Sequence, residues 1–313
     1  MKKLLIKGLA LAAVVSALVL ALTPFTAGDD DSLTRRYRAM PDGIQIANTG
    51  DSHFRHGLNY EGTDYAGFNF GLGSQTLTYD YNLIDTYIGR FAPGSVLVIG
   101  ISYYSPWADD ENDPQRQAQA MRYLGVLDAD HIQFDRRVDY LMNRYAPALT
   151  WADRKVLTIF RGSQAGLMDE EEVAQSGLSL AEIGERRAAY HMRHIYEDGV
   201  MRPFNEASLE NIDKMVALCR EKGVSPVLVV TPYTTHYAKW FEKDVYPVFS
   251  EKMQEIAQRL NIPYLDYSLD ARFSAHEALF KDSDHLNEEG ARLFTDQLLS
   301  DLRDRNLLAA PKS

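Results

Sequence analysis

Three side chains drawn from opposite ends of this chain have the types needed for nucleophilic chemistry: Ser52, Asp282 and His285. A serine hydroxyl is a poor nucleophile until a base takes its proton. In the stretch Asp282-Ser-Asp284-His285 an acid precedes a histidine by three residues, just ahead of a predicted helix. Together these types can carry acyl transfer through a covalent ester. The histidine takes the serine's proton and later returns it to the leaving group, while the acid holds the imidazole tautomer. Asp284 competes for the orienting role; the three-residue spacing favours Asp282 and leaves Asp284 as a solvated or capping acid.

The elements that must position these groups follow an α/β rhythm. Ser52 ends Thr49-Gly50-Asp51-Ser52, a polar turn after a short apolar strand over residues 44–48. A serine there projects from the C-terminal edge of a sheet, where open α/β sheets place their sites. Residues 53–65 read as a loop, and a second strand from Gly67 ends in a glycine-rich turn at Gly71 and Gly73. A helix is predicted over 78–91, and Pro93-Gly94 turns the chain into the apolar run 95–102, which suits a central parallel strand.

From about 108 to 205 the pattern is helical and polar, with helices expected over 132–145, 151–160 and 170–196. That is more chain than a crossover needs and predicts a helical insertion or cap over the active-site edge. His191 and His194, three apart on an expected helix, either seat a ligand or, as is commoner for such a pair, lie on its solvated face. The α/β alternation then resumes: a helix capped by Ser208 and ended by Gly223, a buried strand over 226–231, a helix over 248–260 and a last strand over 263–267. Asn287 caps the final helix. Cys219, the single cysteine, sits on an apolar helix face as a small core residue and excludes an internal disulfide framework. The expected fold is a flavodoxin-like, doubly wound, mainly parallel sheet with a helical insertion.

The two ends together resemble the SGNH (GDSL-like) hydrolase superfamily. Gly50-Asp51-Ser52-His53 is similar to its first block and Asp282-Ser283-Asp284-His285 to its last. The resemblance implies Ser52 as nucleophile, His285 as base and Asp282 as its orienting acid. It also implies the backbone N–H groups of Ser52 and Gly73 as oxyanion donors, Gly73 matching the second-block glycine. The third block departs from the pattern. Where the family carries Gly-x-Asn-Asp, this chain reads Ser102-Tyr103-Tyr104-Ser105-Pro106-Trp107, without an asparagine. Ser102 or Tyr103 is the candidate replacement donor. Tyr103, Tyr104, Trp107, Tyr233 and His236 leave two strand exits expected to flank the serine; they either contact substrate, with aromatics stacking on sugar rings, or pack beneath the insertion.

The formal charge of −11 and the lack of any basic run exclude a nucleic-acid partner. No cofactor is expected, and nothing has the form of a metal-ligand cluster. Lys2, Lys3 and Lys7 precede an uncharged run over residues 8–25, and Asp29-Asp30-Asp31 follow. That order predicts an exported body with the N-terminus held inside. The run sits at the lower limit for a membrane span and lacks a good cleavage site, so an uncleaved anchor is favoured over a signal peptide. The organisation expected is an anchor or signal over 1–27, a tether over 28–42 and the hydrolase domain over 43–313. An anchor on such a domain resembles the DltD and alginate-acetylation proteins of bacterial envelopes. Three functions follow as expectations: an extracytoplasmic esterase or deacylase on O-acyl groups, an O-acyltransferase modifying an envelope polysaccharide with a membrane-embedded acyl-donor partner, or a non-catalytic glycan-binding scaffold.

Overall fold

A computed structural model of the chain describes residues 32–108, 120–132, 137–145 and 177–310, with single positions 7, 14, 17 and 21. The chain divides into two compact units, Met1–Met40 with Gln117–Ala165, and Pro41–Arg116 with Gly166–Ser313. The first holds the helices Ser32–Arg38 and Arg137–Tyr145 and the 3-10 turns Ala120–Tyr123 and Ala129–His131. Helix therefore occupies part of the segment read as a tether. The proposed anchor over 8–25 and the expected helix over 151–160 lie outside the described residues. Among the described residues no helix is long and apolar enough to cross a membrane.

The second unit is built on a five-stranded parallel sheet of β1 (Ile44–Asn48), β2 (Gly67–Asn69), β3 (Phe91–Gly100), β6 (Ser225–Val230) and β7 (Tyr264–Asp266). Their order across the sheet is β2-β1-β3-β6-β7. A two-stranded hairpin, β4 (Tyr196–Glu197) with β5 (Val200–Met201), stands apart from it. Along the chain the sheet strands run second, first, third, fourth, fifth. That is the flavodoxin-like doubly wound order, whose direction of winding reverses between β1 and β3.

Both faces of the sheet are buried, as the unbroken apolar runs require. Ile46, Val96, Val98, Val227, Val229 and Leu265 point to one face, where Phe294, Leu298 and Leu302 of the final helix α5 (Glu288–Asp304) cover them. Residues of opposite parity, Leu97, Ile99, Leu228 and Val230, are equally buried on the other face. Helix α4 (Glu206–Lys222) packs against β6 and β3 and against α2 (Leu77–Tyr87). Gly223 ends α4 in the left-handed conformation with φ of 69°, as expected. The N-cap of α4 is Asn205, whose side chain accepts from Ser208 N, so Ser208 lies inside the first turn. Cys219 is fully buried, and burial pushes its thiol up to about 12. Pro93-Gly94 lies inside β3: pairing jumps from Ile44↔Phe91 to Ile46↔Val96, so the expected turn is a bulge within the strand.

The chain expected as one helical insertion over 108–205 belongs to both units. Its C-terminal part lies in the unit that holds the sheet, as α3 (Leu180–Ile195), started by a capping box between Ser179 and Glu182.

Candidate active site

The exits of β1 and β3, at the point where the sheet reverses its winding, carry the serine corner. After β1 the chain does not run on as a loop; it enters a short helix, α1 (Ser52–Gly57), with Asp51 as N-cap accepting from His53 N at 3.0 Å. Ser52 is therefore the first helical residue and is half-buried. Gly50 makes the corner possible. Its φ is +119°, and a Cβ there would fall 2.5 Å from the Phe54 ring. Gly50 N donates to Asp80 Oδ1 at 2.9 Å, and the same oxygen accepts from Gln75 Nε2 at 2.6 Å. Leu72 N also donates to Gly50 O, so Asp80 and the backbone tie the serine corner to the glycine-rich turn. Asn69 braces the same region: its amide donates to Phe54 O and Leu58 O, while its Oδ1 accepts from Asn48 and Gly71 N.

The last loop of the sheet brings the histidine to the serine. Asp282 Oδ1 accepts from the backbone N–H groups of Asp284 and His285, bending the loop so that the His285 ring folds back on it. Thr234, after β6, fixes the loop from outside by donating Oγ1–H to Ser283 O at 2.5 Å. His285 Nδ1 lies 2.9 Å from Asp282 Oδ2, and its Nε2 lies 2.8 Å from Ser52 Oγ. A carboxylate only accepts, so Nδ1 carries a proton, and in the neutral tautomer this sets, Nε2 accepts from the serine hydroxyl. The structure thus brings Ser52, His285 and Asp282 together in one hydrogen-bonded line. Burial opposes the negative charge of Asp282, yet the neighbouring His285 and Arg187 outweigh it and hold the carboxyl below its ordinary value. Arg187, on α3, reaches to 3.6 Å from Asp282 Oδ2.

Asp284 is neither solvated nor a helix cap. It is 1% exposed, accepts from Ser283 Oγ at 2.8 Å and lies 3.0 Å from His53 Nε2. Burial works against its charge, but His285, His53 and Arg187 hold it well below the usual carboxylate range. The helix cap is Asn287, which accepts from Gly290 N.

Gly73 lies in the turn that follows β2, half-buried, with nothing within 4 Å of where a Cβ would stand. The tight position of that turn is Gly71, where a Cβ would meet Asn69 Oδ1 at 2.8 Å and Arg55 N at 2.9 Å.

The candidate substrate-contact residues are placed differently from the expectation. Ser102 faces inward, its Oγ 2.9 Å from His53 Nδ1. Tyr103 and Tyr233 are fully buried and pack on each other with ring centroids 4.9 Å apart. Trp107 is buried against Phe204 and donates Nε1–H to Arg202 O at 2.7 Å. Tyr103, Tyr233 and Trp107 are interior packing at strand exits, which aromatics favour over an open edge, and Ser102 is a buried hydrogen-bonding partner. Only His236 among them keeps contact with solvent, and it pairs with Glu277 at 2.8 Å. His191 is likewise not on a solvated face. It is buried, its ring stacks on Tyr104 at 4.3 Å, and its Nδ1 lies 2.7 Å from Tyr237 Oη. Burial holds its imidazole well below the ordinary value, so it stays neutral.

The residues that composition and spacing did not single out are Asp51 as a charge, His53 and Arg187; Tyr104, expected at a substrate-facing strand exit, is buried in the same network. Tyr104 Oη donates to Asp51 Oδ2 at 2.6 Å. A polar residue beside the nucleophile and a second acid in the last block are the only traces of this network in the sequence.

No protein-family model and no curated protein matches the chain. Solved structures similar to it include a presumed acylhydrolase from Bacteroides fragilis, 13% identical, with a TM-score of 0.43 over 89% of this chain and 97% of that one. A GDSL-like lipase from Bacteroides thetaiotaomicron is 9% identical, with a TM-score of 0.39 over 92% of this chain and 98% of that one. At these scores the likeness assigns neither family nor activity.

Proposed function

We propose that this chain is a serine esterase or deacylase that cleaves O-acyl esters through an acyl-enzyme on Ser52. The observation that supports it is the Asp282–His285–Ser52 line, closed at 2.9 and 2.8 Å with the serine still reachable from solvent. Ser52 Oγ attacks the ester carbonyl as His285 Nε2 takes its proton. The tetrahedral intermediate collapses, the C–O bond to the alcohol breaks, and the imidazolium protonates that leaving group. Water then attacks the acyl-enzyme by the same route and releases the acid. Asp282 keeps the tautomer and stabilises the imidazolium. The backbone N–H groups of Ser52 and Gly73 are the oxyanion donors in this reading, each worth about 3 kcal/mol in the transition state.

The lysines, apolar run and acids of the N-terminus support placement outside the cytoplasmic membrane, held by an anchor. An acylated envelope glycan is then the substrate at hand. The same N-terminal pattern supports a second reading, O-acyl transfer to an envelope polymer, in which an alcohol replaces water as the attacking group. A short acyl ester incubated with full-length protein tests both. The esterase reading expects acid release with water alone and an initial burst of alcohol equal to the enzyme present. Acyl release that requires an added oligosaccharide favours the transferase, and absence of any acyl-enzyme leaves only a glycan-binding scaffold. Full-length protein should also remain with membranes on fractionation; an exported form beginning near residue 24 or 28 would contradict the anchor.

A further inference from the structure

His53 takes no part in the acyl-transfer steps, yet it is 1% exposed and bonded at every polar atom to a different part of the site. Its Nε2 lies 3.0 Å from Asp284 Oδ2 on the loop that carries His285. Its Nδ1 lies 2.9 Å from Ser102 Oγ at the exit of β3 and 3.2 Å from Asp51 Oδ1 at the serine corner. The hydroxyl of Ser102 can donate or accept, but carboxylate oxygens only accept, so the acids facing the two ring nitrogens, Asp284 at Nε2 and Asp51 at ion-pair distance from Nδ1, favour a ring protonated at both. A neutral ring would turn one bare nitrogen toward the lone pairs of a buried acid.

We propose that His53 is a positioning residue, an imidazolium cross-link that holds the Ser52 corner, the β3 exit and the Asp282–His285 loop at one spacing. The proposal rests on the acyl-transfer reading of Ser52. Ser52 and His285 sit on separate segments and touch only at their hydrogen bond, so their distance depends on whatever spans the two segments behind it. His53 spans them, being the residue next to Ser52 and bonded to the residue next to His285. Charge balance points the same way. Asp51, Asp282 and Asp284 face His53 and Arg187, which leaves one net negative charge while His285 is neutral. When His285 takes the serine's proton its positive charge offsets that one, and the matching negative charge passes to the oxyanion on the substrate. Without His53 two negative charges would remain in a buried site, and the acids would take up a proton or part.

The test compares full-length wild type with His53→Gln by the rate of fluorophosphonate labelling at Ser52. The expected result is a variant that still melts cooperatively but labels about 10- to 100-fold more slowly, the size of effect that misplacing reacting groups by a fraction of an ångström to an ångström produces. A folded His53→Gln that labels at the wild-type rate would overturn the proposal. Wild-type protein that does not label at all overturns the acyl-transfer reading instead. Should His53→Gln fail to fold, nitrogen-15 spectra of histidine-labelled wild type give the second measurement. One imidazole should carry protons on both nitrogens at about pH 8, well above the ordinary histidine range. Spectra showing only neutral rings there would overturn the cross-link.

Discussion

The rings of His53 and His285 lie face to face, centroids 4.9 Å apart and planes within 26° of each other. Asp284 Oδ2 serves both, 3.0 Å from His53 Nε2 and 4.0 Å from His285 Nδ1. Different acids face the two rings: His285 meets a carboxylate at one nitrogen and a hydroxyl at the other, whereas His53 has a carboxylate facing each nitrogen, with the Ser102 hydroxyl also at Nδ1. The shared Asp284 offsets the repulsion that arises when His285 becomes positive beside His53.

The two acids of the last loop should therefore separate in their mutants. Asp282→Asn removes the acceptor that sets the His285 tautomer, and ester turnover should fall about 10³- to 10⁴-fold with the fold intact. Asp284→Asn touches His285 only through space; its main effect should be on stability, through loss of the negative charge facing His53, with a smaller loss of turnover. Paired measurements of turnover and melting temperature check this. Equal losses of turnover in the two variants would show that the sequence spacing misassigns the orienting acid.

A pH dependence follows from His53. Burial pulls its pKa down, but the Asp51 charge and the Asp284 hydrogen bond outweigh that and raise it to about 10. Unfolded histidine titrates near 6.5, so the folded chain binds the extra proton between those values. The contribution is complete below about pH 6.5, declines as pH rises and is gone above about pH 10; its full size is on the order of a few kcal/mol. Asp282 and Asp284 work at the other end: their lowered values contribute stability above about pH 4, lost as the pH falls through them. Denaturant midpoints at pH 6, 8 and 10 should fall steadily in wild type and less in His53→Gln. An identical slope in the two proteins would remove His53 from the account.

Trp107→Ala should act on the fold and not on substrate choice. The ring is 2% exposed and its N–H is spent on Arg202 O. Truncating a buried tryptophan costs about 3 to 5 kcal/mol through lost packing and the cavity left behind. The melting temperature should drop while the ratio of turnover on a polymeric and a small ester stays the same. A folded variant that loses only the polymeric substrate would restore Trp107 as a contact residue.

The sheet was legible because its strands are short apolar runs with sharp polar or glycine ends. β1 and the strand over Ser225–Val230 could be placed within a residue, and the winding order followed from the alternation. The bulge at Pro93-Gly94 was not legible, since a turn and a bulge draw on the same residue types. Ser52, Asp282 and His285 were legible from residue type and spacing. The environment of the strand exits was not: polar and aromatic residues at an edge read as substrate contacts, and nothing in Tyr103 or Tyr233 says that Tyr237, Phe241, Tyr246 and Phe249 will enclose them. His53 was hidden for the same reason. A histidine beside a serine has no meaning until Asp284, far along the chain, is known to reach it.

Every step of acyl transfer depends on Ser52 as the nucleophile. Fluorophosphonate labelling of the full-length protein, followed by peptide mapping, should give one modified serine, Ser52. Ser52→Ala should abolish labelling and leave the melting temperature little changed, because the hydroxyl holds no part of the fold together. Labelling that persists at another serine in Ser52→Ala, or a wild-type chain that never labels, would contradict that role.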